Sequence, residues 1–157
     1  MTREEKFMIE AIKLSRNSAR ENEGGPFGCI VVKGDEIVGR GNNKVTSTND
    51  PTAHAEVVAI RDACKNIGSF QLIDCEIFTS CEPCPMCLGA IYWARPKVIY
   101  YANNRVDAAA IGFDDSMIYE EMNKSYSDRK IPIIAIYRDE ALQVFKEWEE
   151  KLNKTLY

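Results

Sequence analysis

The segment CEIFTSCEPCPMCLGAIYWA, residues 75–94, decides how this chain folds. Residues 75–80 predict a short β-strand, and the stretch that begins at Cys84 predicts a helix, because Pro85 suits a first helical turn. Cys84 and Cys87 stand three residues apart and therefore lie on one face of that helix. A strand that leads into a cysteine-bearing helix is the unit around which the remaining elements are arranged.

The rest of the chain alternates between helix and strand. The capping box Thr2-Arg3-Glu4-Glu5 opens a first helix, which Gly24-Gly25-Pro26 closes. Further strands are predicted at residues 27–32, 37–41, 98–101 and 131–137, and further helices at 54–66 and 140–153. This order predicts an α/β fold, a three-layer αβα sandwich with a central mixed sheet of about five strands.

Length and composition indicate a single domain covering residues 1–157. A chain of this size buries a sizeable core without disulfides, and it contains no repeat or linker. The first residues are charged and amphipathic, and no apolar run approaches the roughly 20 residues of a membrane span. We therefore expect a cytoplasmic protein without membrane contact, whose six cysteines are thiols rather than disulfides.

The only histidine of the chain stands in the segment His54-Ala55-Glu56. Zinc binds imidazole nitrogen and thiolate sulfur in a tetrahedral shell, and a catalytic site keeps three protein ligands so that the fourth position holds water. His54, Cys84 and Cys87 are therefore the candidate zinc ligands. Zinc lowers the pKa of a bound water from about 15.7 to about 7, and Glu56 is placed to carry the released proton.

The spacing of these residues locates the site at the beginning of a helix. Residues two apart on a helix point about 200° away from each other, so His54 and Glu56 reach one metal only near the helix N-terminus. Asp50-Pro51 supplies a capping residue followed by a proline, and Thr52 is a second candidate cap. Two helix N-termini then direct partial positive charge at the metal, which favours thiolates.

Cys81 leaves a second assignment open, because Cys81-Glu82-Pro83-Cys84 is also a C-x-x-C pattern. With three thiols and His54 engaged, the shell closes as Cys₃His and the zinc is structural. That arrangement describes a zinc-stabilised binding module rather than an enzyme. A redox dithiol is a further alternative, but it explains neither His54 nor Glu56.

The pattern H-x-E followed by P-C-x-x-C is typical of zinc deaminases that act on nucleobases. The chain resembles the cytidine-deaminase-like superfamily over essentially its whole length, and within that superfamily it is most similar to the small bacterial guanine deaminases. The segments that carry the resemblance are Gly24-Gly25-Pro26-Phe27-Gly28, residues 48–56, residues 79–95, Gly112-Phe113-Asp114-Asp115-Ser116 and the C-terminal Tyr157.

The resemblance implies zinc-dependent hydrolysis of guanine to xanthine and ammonia. It implies that His54, Cys84 and Cys87 hold the zinc, that hydroxide attacks C2, and that Glu56 is the main proton shuttle. Asp115 matches an acid that contacts the purine and shares proton transfer at the leaving amine. The other matches to substrate-binding positions of the family are Phe27, Asn43, Ala55, Trp93 and Tyr157.

The matched positions carry specific roles in the family. Phe27 matches a ring that stacks on the base, Asn43 matches a hydrogen-bonding partner of the purine ring, and Trp93 matches an aromatic wall of the pocket. The C-terminal segment of the family exchanges between two subunits. The resemblance therefore implies a homodimer in which Tyr157 caps the site of its partner.

Several related substrates fit the same zinc chemistry. Relatives deaminate guanosine, cytosine, cytidine or adenosine within a transfer RNA, and the metal and its proton shuttle do not distinguish them. A net charge of −4 argues against nucleic acid, because proteins that bind it use basic residues to contact phosphates. Guanosine carries a ribose that needs room at the pocket mouth, which a swapped Tyr157 closes.

Overall fold

The computed structural model describes all 157 residues and contains one mixed four-stranded sheet. Its strands are β1 (Gly28–Lys33), β2 (Glu36–Asn42), β3 (Cys75–Cys81) and β4 (Val98–Asn103). They lie in the order β2-β1-β3-β4. Strand β1 is antiparallel to both neighbours, whereas β3 and β4 run parallel. The α/β fold with a mixed sheet is confirmed, with four strands in place of about five.

Seven α-helices accompany this sheet. They are α1 (Arg3–Arg20), α2 (Val45–Thr48), α3 (Ala55–Ile67), α4 (Pro85–Ala94), α5 (Arg105–Ala110), α6 (Ser116–Met122) and α7 (Arg138–Glu150), with a 3₁₀ turn at Tyr126–Asp128. None of these helices combines the length and the apolar character that crossing a membrane requires.

The chain divides into two compact units, the first covering residues 1–115 and the second residues 116–157. The whole sheet belongs to the first unit, and α6 and α7 belong to the second. The strand predicted at residues 131–137 is wrong, because this apolar stretch has no regular structure. A strand needs a neighbouring strand to accept its backbone hydrogen bonds, and the second unit contains none.

The capping box predicted at the start of α1 is confirmed. The Thr2 hydroxyl accepts a hydrogen bond from the Glu5 backbone N–H at 3.2 Å, and the Glu5 carboxylate accepts one from the Thr2 N–H at 2.7 Å. At the other end of the helix, the buried Ser18 hydroxyl donates to the carbonyl oxygens of Gly25 and Asn43 at 2.9 and 3.0 Å. The first helix therefore anchors two segments that lead toward the candidate site.

Alternate residues of β1 face two separate layers of the core, as the two-residue period of a strand requires. The layer against α1 contains Ala11, Ile30, Val32 and Phe78, all fully buried. The layer against α3 and α4 contains Cys29, Val31, Ala55, Ala59, Ala63, Leu72, Cys75, Ile77, Ile91 and Ala94. The sheet thus lies between α1 on one face and the helices that carry His54, Cys84 and Cys87 on the other.

Glycines let these helices approach the sheet closely. A Cβ atom on Gly28 of β1 would lie 2.3 Å from the carbonyl oxygen of Ala11 in α1. A Cβ atom on Gly41 of β2 would lie 2.2 Å from the carbonyl oxygen of Ala55, the first residue of α3. Real Cβ atoms do not occupy such positions, so any larger residue at Gly41 must move the start of α3.

Candidate active site

His54 and Cys84 occupy equivalent positions at the beginnings of two helices. His54 is the N-cap of α3 and Cys84 is the N-cap of α4, both with extended backbone and neither with a capping hydrogen bond from its side chain. The prediction that Pro85 opens its helix is confirmed. Because the imidazole and the thiol are not used as caps, both remain available to a ligand.

The caps predicted for the His54 helix are wrong. Asp50 closes a turn before the helix, where its Oδ1 atom accepts hydrogen bonds from the backbone N–H and the hydroxyl of Thr52 at 2.8 and 2.7 Å. These bonds lower the pKa of the Asp50 carboxyl below its usual value. Helix α3 begins only at Ala55. A short side chain two residues before a backbone N–H often forms such a turn instead of a helix cap.

His54, Cys84 and Cys87 converge on one point. The Nδ1 atom of His54 lies 3.5 Å from the sulfur of Cys84 and 3.4 Å from the sulfur of Cys87. All three ligand atoms lie within 4.8 Å of one another. Bonds of about 2.0–2.1 Å to nitrogen and 2.3 Å to sulfur at a tetrahedral angle place those atoms about 3.6 Å apart. The two nitrogen–sulfur distances therefore fit a zinc ion held by these three residues.

The thiols of Cys84 and Cys87 differ in their pKa values. A hydrogen bond from Cys87, reinforced by His54, lowers the pKa of the Cys84 thiol to about 4. The hydrogen bond to Cys84, together with burial, raises the pKa of Cys87. The hydrogen bond with Cys84 also raises the pKa of the His54 imidazole above its usual value. Without metal the pair therefore carries one thiolate, and a metal that binds both sulfurs displaces the proton of Cys87.

Cys81 lies outside this group of ligand atoms. Its thiol is buried and donates to the carbonyl oxygen of Asn104 at 3.8 Å, and burial raises its pKa to about 11. A thiol that keeps its proton and faces a carbonyl oxygen is a poor metal ligand. The geometry thus favours three protein ligands over the closed Cys₃His shell.

Glu56 follows His54 by two residues in the first turn of α3 and is only 7% exposed. Its Oε1 atom accepts a hydrogen bond from the Thr79 hydroxyl at 3.1 Å, and its carboxyl group also contacts Cys87. Burial raises the pKa of this carboxyl above its usual value. A buried carboxyl beside a metal-binding thiol is suited to accept and release a proton.

Phe27 forms an aromatic pair with Phe113. Their ring centroids are 4.9 Å apart and their planes meet at 88°, so one ring presents its edge to the other. A Cβ atom on Gly25 would lie 3.0 Å from both rings. This arrangement fixes the orientation of the Phe27 ring, and edge-to-face pairs of this kind are worth roughly 0.5–1.5 kcal/mol beyond the area that they bury.

Asn43 is buried, and its side-chain oxygen already has two partners. The Oδ1 atom accepts hydrogen bonds from the backbone N–H groups of Gly25 and Val45, each at 3.2 Å. Two backbone donors fix the orientation of the amide, since only the oxygen can accept from them. The Nδ2 group is therefore the part of Asn43 that can donate to another molecule.

The remaining predicted site residues differ in their surroundings. Ala55 is fully buried as the first residue of α3, and Trp93, in the last turn of α4, is 64% exposed. Asp115 is half-buried at the end of the first unit, where burial and then the charge of Cys84 raise its carboxyl pKa. Tyr157 ends the second unit.

The sequence assigns no individual role to three residues that support this site, although all three lie in segments that carry the family resemblance. Thr79 hydrogen-bonds Glu56, Phe113 packs on Phe27, and Gly24 lies so close to Asn43 that a Cβ would be 2.2 Å from its Oδ1. The signal for Gly24 was present in the Gly-Gly-Pro turn, since paired glycines often permit a close approach. A threonine within a strand carries no comparable signal.

The chain is similar to known deaminases in both sequence and structure. Residues 1–103 match the family described as the cytidine and deoxycytidylate deaminase zinc-binding region. The chain is 52% identical over 153 residues to a guanine deaminase of Bacillus subtilis, and the match covers 98% of both chains. It is 41% identical over 118 residues to a tRNA-specific adenosine deaminase of Streptococcus pyogenes, 74% of each chain.

The chain is also similar to solved structures of guanine deaminases. The crystal structure of guanine deaminase from Bacillus subtilis matches with a TM-score of 0.95 and covers 98% of both chains. A guanine deaminase from Nitrosomonas europaea, 29% identical, matches with a TM-score of 0.66 over 90% of this chain and 82% of its own.

Proposed function

Because the chain belongs to the cytidine and deoxycytidylate deaminase family of zinc-binding proteins, we propose that it hydrolyses guanine to xanthine and ammonia. The observation that carries this proposal is the 52% identity to a guanine deaminase over 98% of both chains. The convergence of one imidazole and two thiols beside a buried carboxyl supports it independently, because hydrolytic zinc enzymes use such a set of ligands with a carboxyl group as general acid and base.

We assign the zinc to His54, Cys84 and Cys87. When bound with one open coordination position, zinc makes a strong oxygen nucleophile available near neutral pH, and in guanine the carbon to be attacked is C2. Glu56 carries one proton of the attacking water to a ring nitrogen of the purine and the second to the departing amine, which leaves as ammonia. The burial of its carboxyl and its contact with Cys87 support this role.

Asn43 and Phe27 form the recognition surface for the base. The oxygen of the Asn43 amide is occupied by backbone donors, so its Nδ2 group donates to an acceptor on the purine. Guanine offers its carbonyl oxygen and its ring nitrogens as acceptors for this group. Phe27 stacks on the ring face, with Phe113 holding its orientation.

Asp115 is a second acid of the reaction. Its raised pKa reflects burial and the negative charge of Cys84, so the group carries a proton more readily than an ordinary aspartate. We assign it a contact with the purine and a share in protonating the leaving amine. Ala55 and Trp93 complete the substrate-binding residues of the same protomer.

We further propose one catalytic domain per chain and a homodimer in which C-terminal segments are exchanged. No residue of the second unit is buried, although its irregular stretch at residues 131–137 contains Ile131, Ile133, Ile134 and Ile136. Strand β4 forms one edge of the sheet, and a free strand edge readily pairs with another chain. A second copy supplies the apolar surface that the segment needs and brings Tyr157 to the partner's site.

Cysteine chemistry supports a cytoplasmic location. All six cysteines are free thiols, including the three outside the motif, Cys29, Cys64 and Cys75. A reducing compartment keeps such thiols available, whereas secreted proteins usually pair them.

The experiment that tests the function measures ammonia release by the zinc-loaded protein. The substrates are guanine, guanosine, adenine, cytosine, cytidine and a transfer RNA that carries the target adenosine, and Glu56→Gln is the blank. We expect turnover of guanine alone, lost in the blank. Turnover of the transfer RNA, to which the 41% identity to an adenosine deaminase points, would contradict the substrate assignment. An active Glu56→Gln protein would contradict the mechanism.

A further inference from the structure

Thr79 makes the one side-chain hydroxyl contact to the carboxyl group of Glu56. Its Oγ1 atom lies 3.1 Å from Oε1 of Glu56, and the two residues are 1% and 7% exposed. An ionised carboxylate only accepts hydrogen bonds, so the hydroxyl is the donor. Because the pair is buried, water does not substitute for this donor at low cost.

The position of Thr79 makes it a rigid support. It lies on β3, which has a neighbouring strand on each side, and it pairs with Cys29 of β1 and Tyr101 of β4. A β-branched side chain within a strand has few rotamers, so its hydroxyl points in a defined direction. Glu56 instead belongs to the first turn of α3 and has a longer side chain with three rotatable bonds. The threonine can therefore define where the carboxylate lies.

Metal binding increases the importance of this contact. In the protein without metal, the thiol of Cys87 also lies close to the carboxyl group of Glu56 and lowers its pKa. A cysteine that binds zinc does so as a thiolate, which has no proton to donate. The Thr79 hydroxyl then remains as the side-chain donor to Glu56.

We propose that Thr79 is a positioning residue for the deamination reaction, and that it holds the Glu56 carboxylate in the orientation in which it transfers protons. Thr79 is not one of the assigned zinc ligands or substrate-binding residues, and its assigned role is exerted through Glu56. The proposal rests on the proposed function in one respect, namely that Glu56 carries the proton. It predicts that loss of the hydroxyl slows the chemical step and leaves substrate binding unchanged.

The neighbouring residue Ser80 provides a matched control. It is also a buried hydroxyl residue of β3, 3% exposed, but its oxygen accepts a hydrogen bond from the backbone N–H of Gly28 at 3.0 Å. Loss of that hydroxyl leaves the buried N–H of Gly28 without its partner but removes no hydrogen bond to Glu56. Ser80→Ala therefore measures what the loss of a buried hydroxyl from this strand does to stability alone.

The test compares wild type, Thr79→Val, Thr79→Ser and Ser80→Ala as zinc-loaded full-length proteins. We expect Thr79→Val, which has the same shape without the hydroxyl, to lower kcat by about 10–100-fold while KM changes less than about 3-fold. Thr79→Ser restores the hydroxyl and should bring kcat to within about 3-fold of wild type. The zinc content of the same samples should be stoichiometric in every variant. The midpoint of thermal unfolding, also measured on these samples, gives the loss of stability that each substitution causes.

Each result decides between positioning and a structural role. A Thr79→Val protein with wild-type kcat, or a loss of kcat that Ser80→Ala reproduces, overturns the proposal. Failure of Thr79→Ser to recover kcat, or loss of zinc from Thr79→Val, does the same. Absence of guanine turnover in the wild type contradicts the proposed function instead, whereas a wild-type kcat in Thr79→Val beside an inactive Glu56→Gln contradicts only the positioning role.

Discussion

The carboxyl group of Glu56 is buried at a place where its negative charge opposes folding. Burial raises its pKa above the ordinary value of 4.5, so the folded chain holds this proton more tightly than the unfolded chain. A carboxyl with a raised folded pKa costs no stability below pH 4.5, where both states are protonated. The cost develops as the pH rises through the folded pKa and persists above it.

Glu56→Gln should therefore stabilise the zinc-free protein near neutral pH, because the amide fills the same space without charge. The gain should shrink as the pH falls and vanish below about pH 4.5. Urea unfolding of both proteins after metal removal, at several pH values between 4 and 8, measures the difference. A Glu56→Gln protein that is equally stable or less stable at pH 7 would show that the site accommodates the charge without cost.

Substitution of single thiols tests the ligand set at the same scale. Cys84→Ser should lose stoichiometric zinc, because the thiolate of Cys84 lies 3.5 Å from Nδ1 of His54. Cys81→Ser should keep it, because the Cys81 thiol faces the carbonyl oxygen of Asn104. Metal analysis of the two purified variants makes the comparison, and the reverse outcome would move the site to the first C-x-x-C pair.

At the scale of elements, the site is built from the beginnings of α3 and α4. Both helices direct their first-turn N–H groups and partial positive charge toward the proposed ligand residues at their N-caps, which favours thiolate over thiol. Helix α3 reaches this position because Gly41 of β2 lets Ala55 approach the sheet. The placement of His54 and Glu56 therefore depends on a glycine that touches neither of them.

Gly41→Ala should displace the first turn of α3, since the new Cβ would lie 2.2 Å from the carbonyl oxygen of Ala55. We expect a loss of roughly 1–3 kcal/mol in the free energy of unfolding, with weaker zinc retention and lower kcat. Gly89→Ala is the matched control, because a Cβ there meets nothing within 4 Å in α4. It should stabilise the helix by about 0.5–1 kcal/mol. Equal effects of the two substitutions would remove the role assigned to Gly41.

At the scale of the whole molecule, the second unit carries apolar side chains without a buried core. Residues such as Val144, Phe145 and Trp148 of α7 are 60%, 71% and 44% exposed. Large exposed apolar surfaces of soluble proteins usually mark an interface. The exchanged dimer that we propose would cover this surface and would make each active site a product of two chains.

Complementation tests the exchange directly. Glu56→Gln and a variant that lacks Tyr157 should each have little activity alone. When the two are co-expressed, an exchanged mixed dimer contains one site with an intact Glu56 and a partner's Tyr157. Random pairing then restores on the order of a quarter of the wild-type activity. Sedimentation should show dimers in all samples, and a mixture no more active than its parts would exclude exchange through Tyr157.

The sequence determined the chemistry and most of the elements of this protein. The capping box of α1, the four strands and the helices that follow His54 and Cys84 all follow from local signals, namely turn residues, periodicity and a first-turn proline. The ligand types and their spacing likewise indicate zinc chemistry without coordinates. These features depend on residues that are close together in the chain, so they can be predicted from the sequence.

Tertiary structure alone decided how these parts meet. It placed the Thr79 hydroxyl on Glu56, turned the Asn43 oxygen toward backbone donors, and directed Cys81 away from the other thiols. It also left residues 131–137 without a strand, although their apolar run predicts one. Each of these outcomes depends on a partner distant in the chain. The partners in hydrogen bonds and strand pairs are neighbours in space, and no local sequence pattern specifies which distant residue becomes the partner.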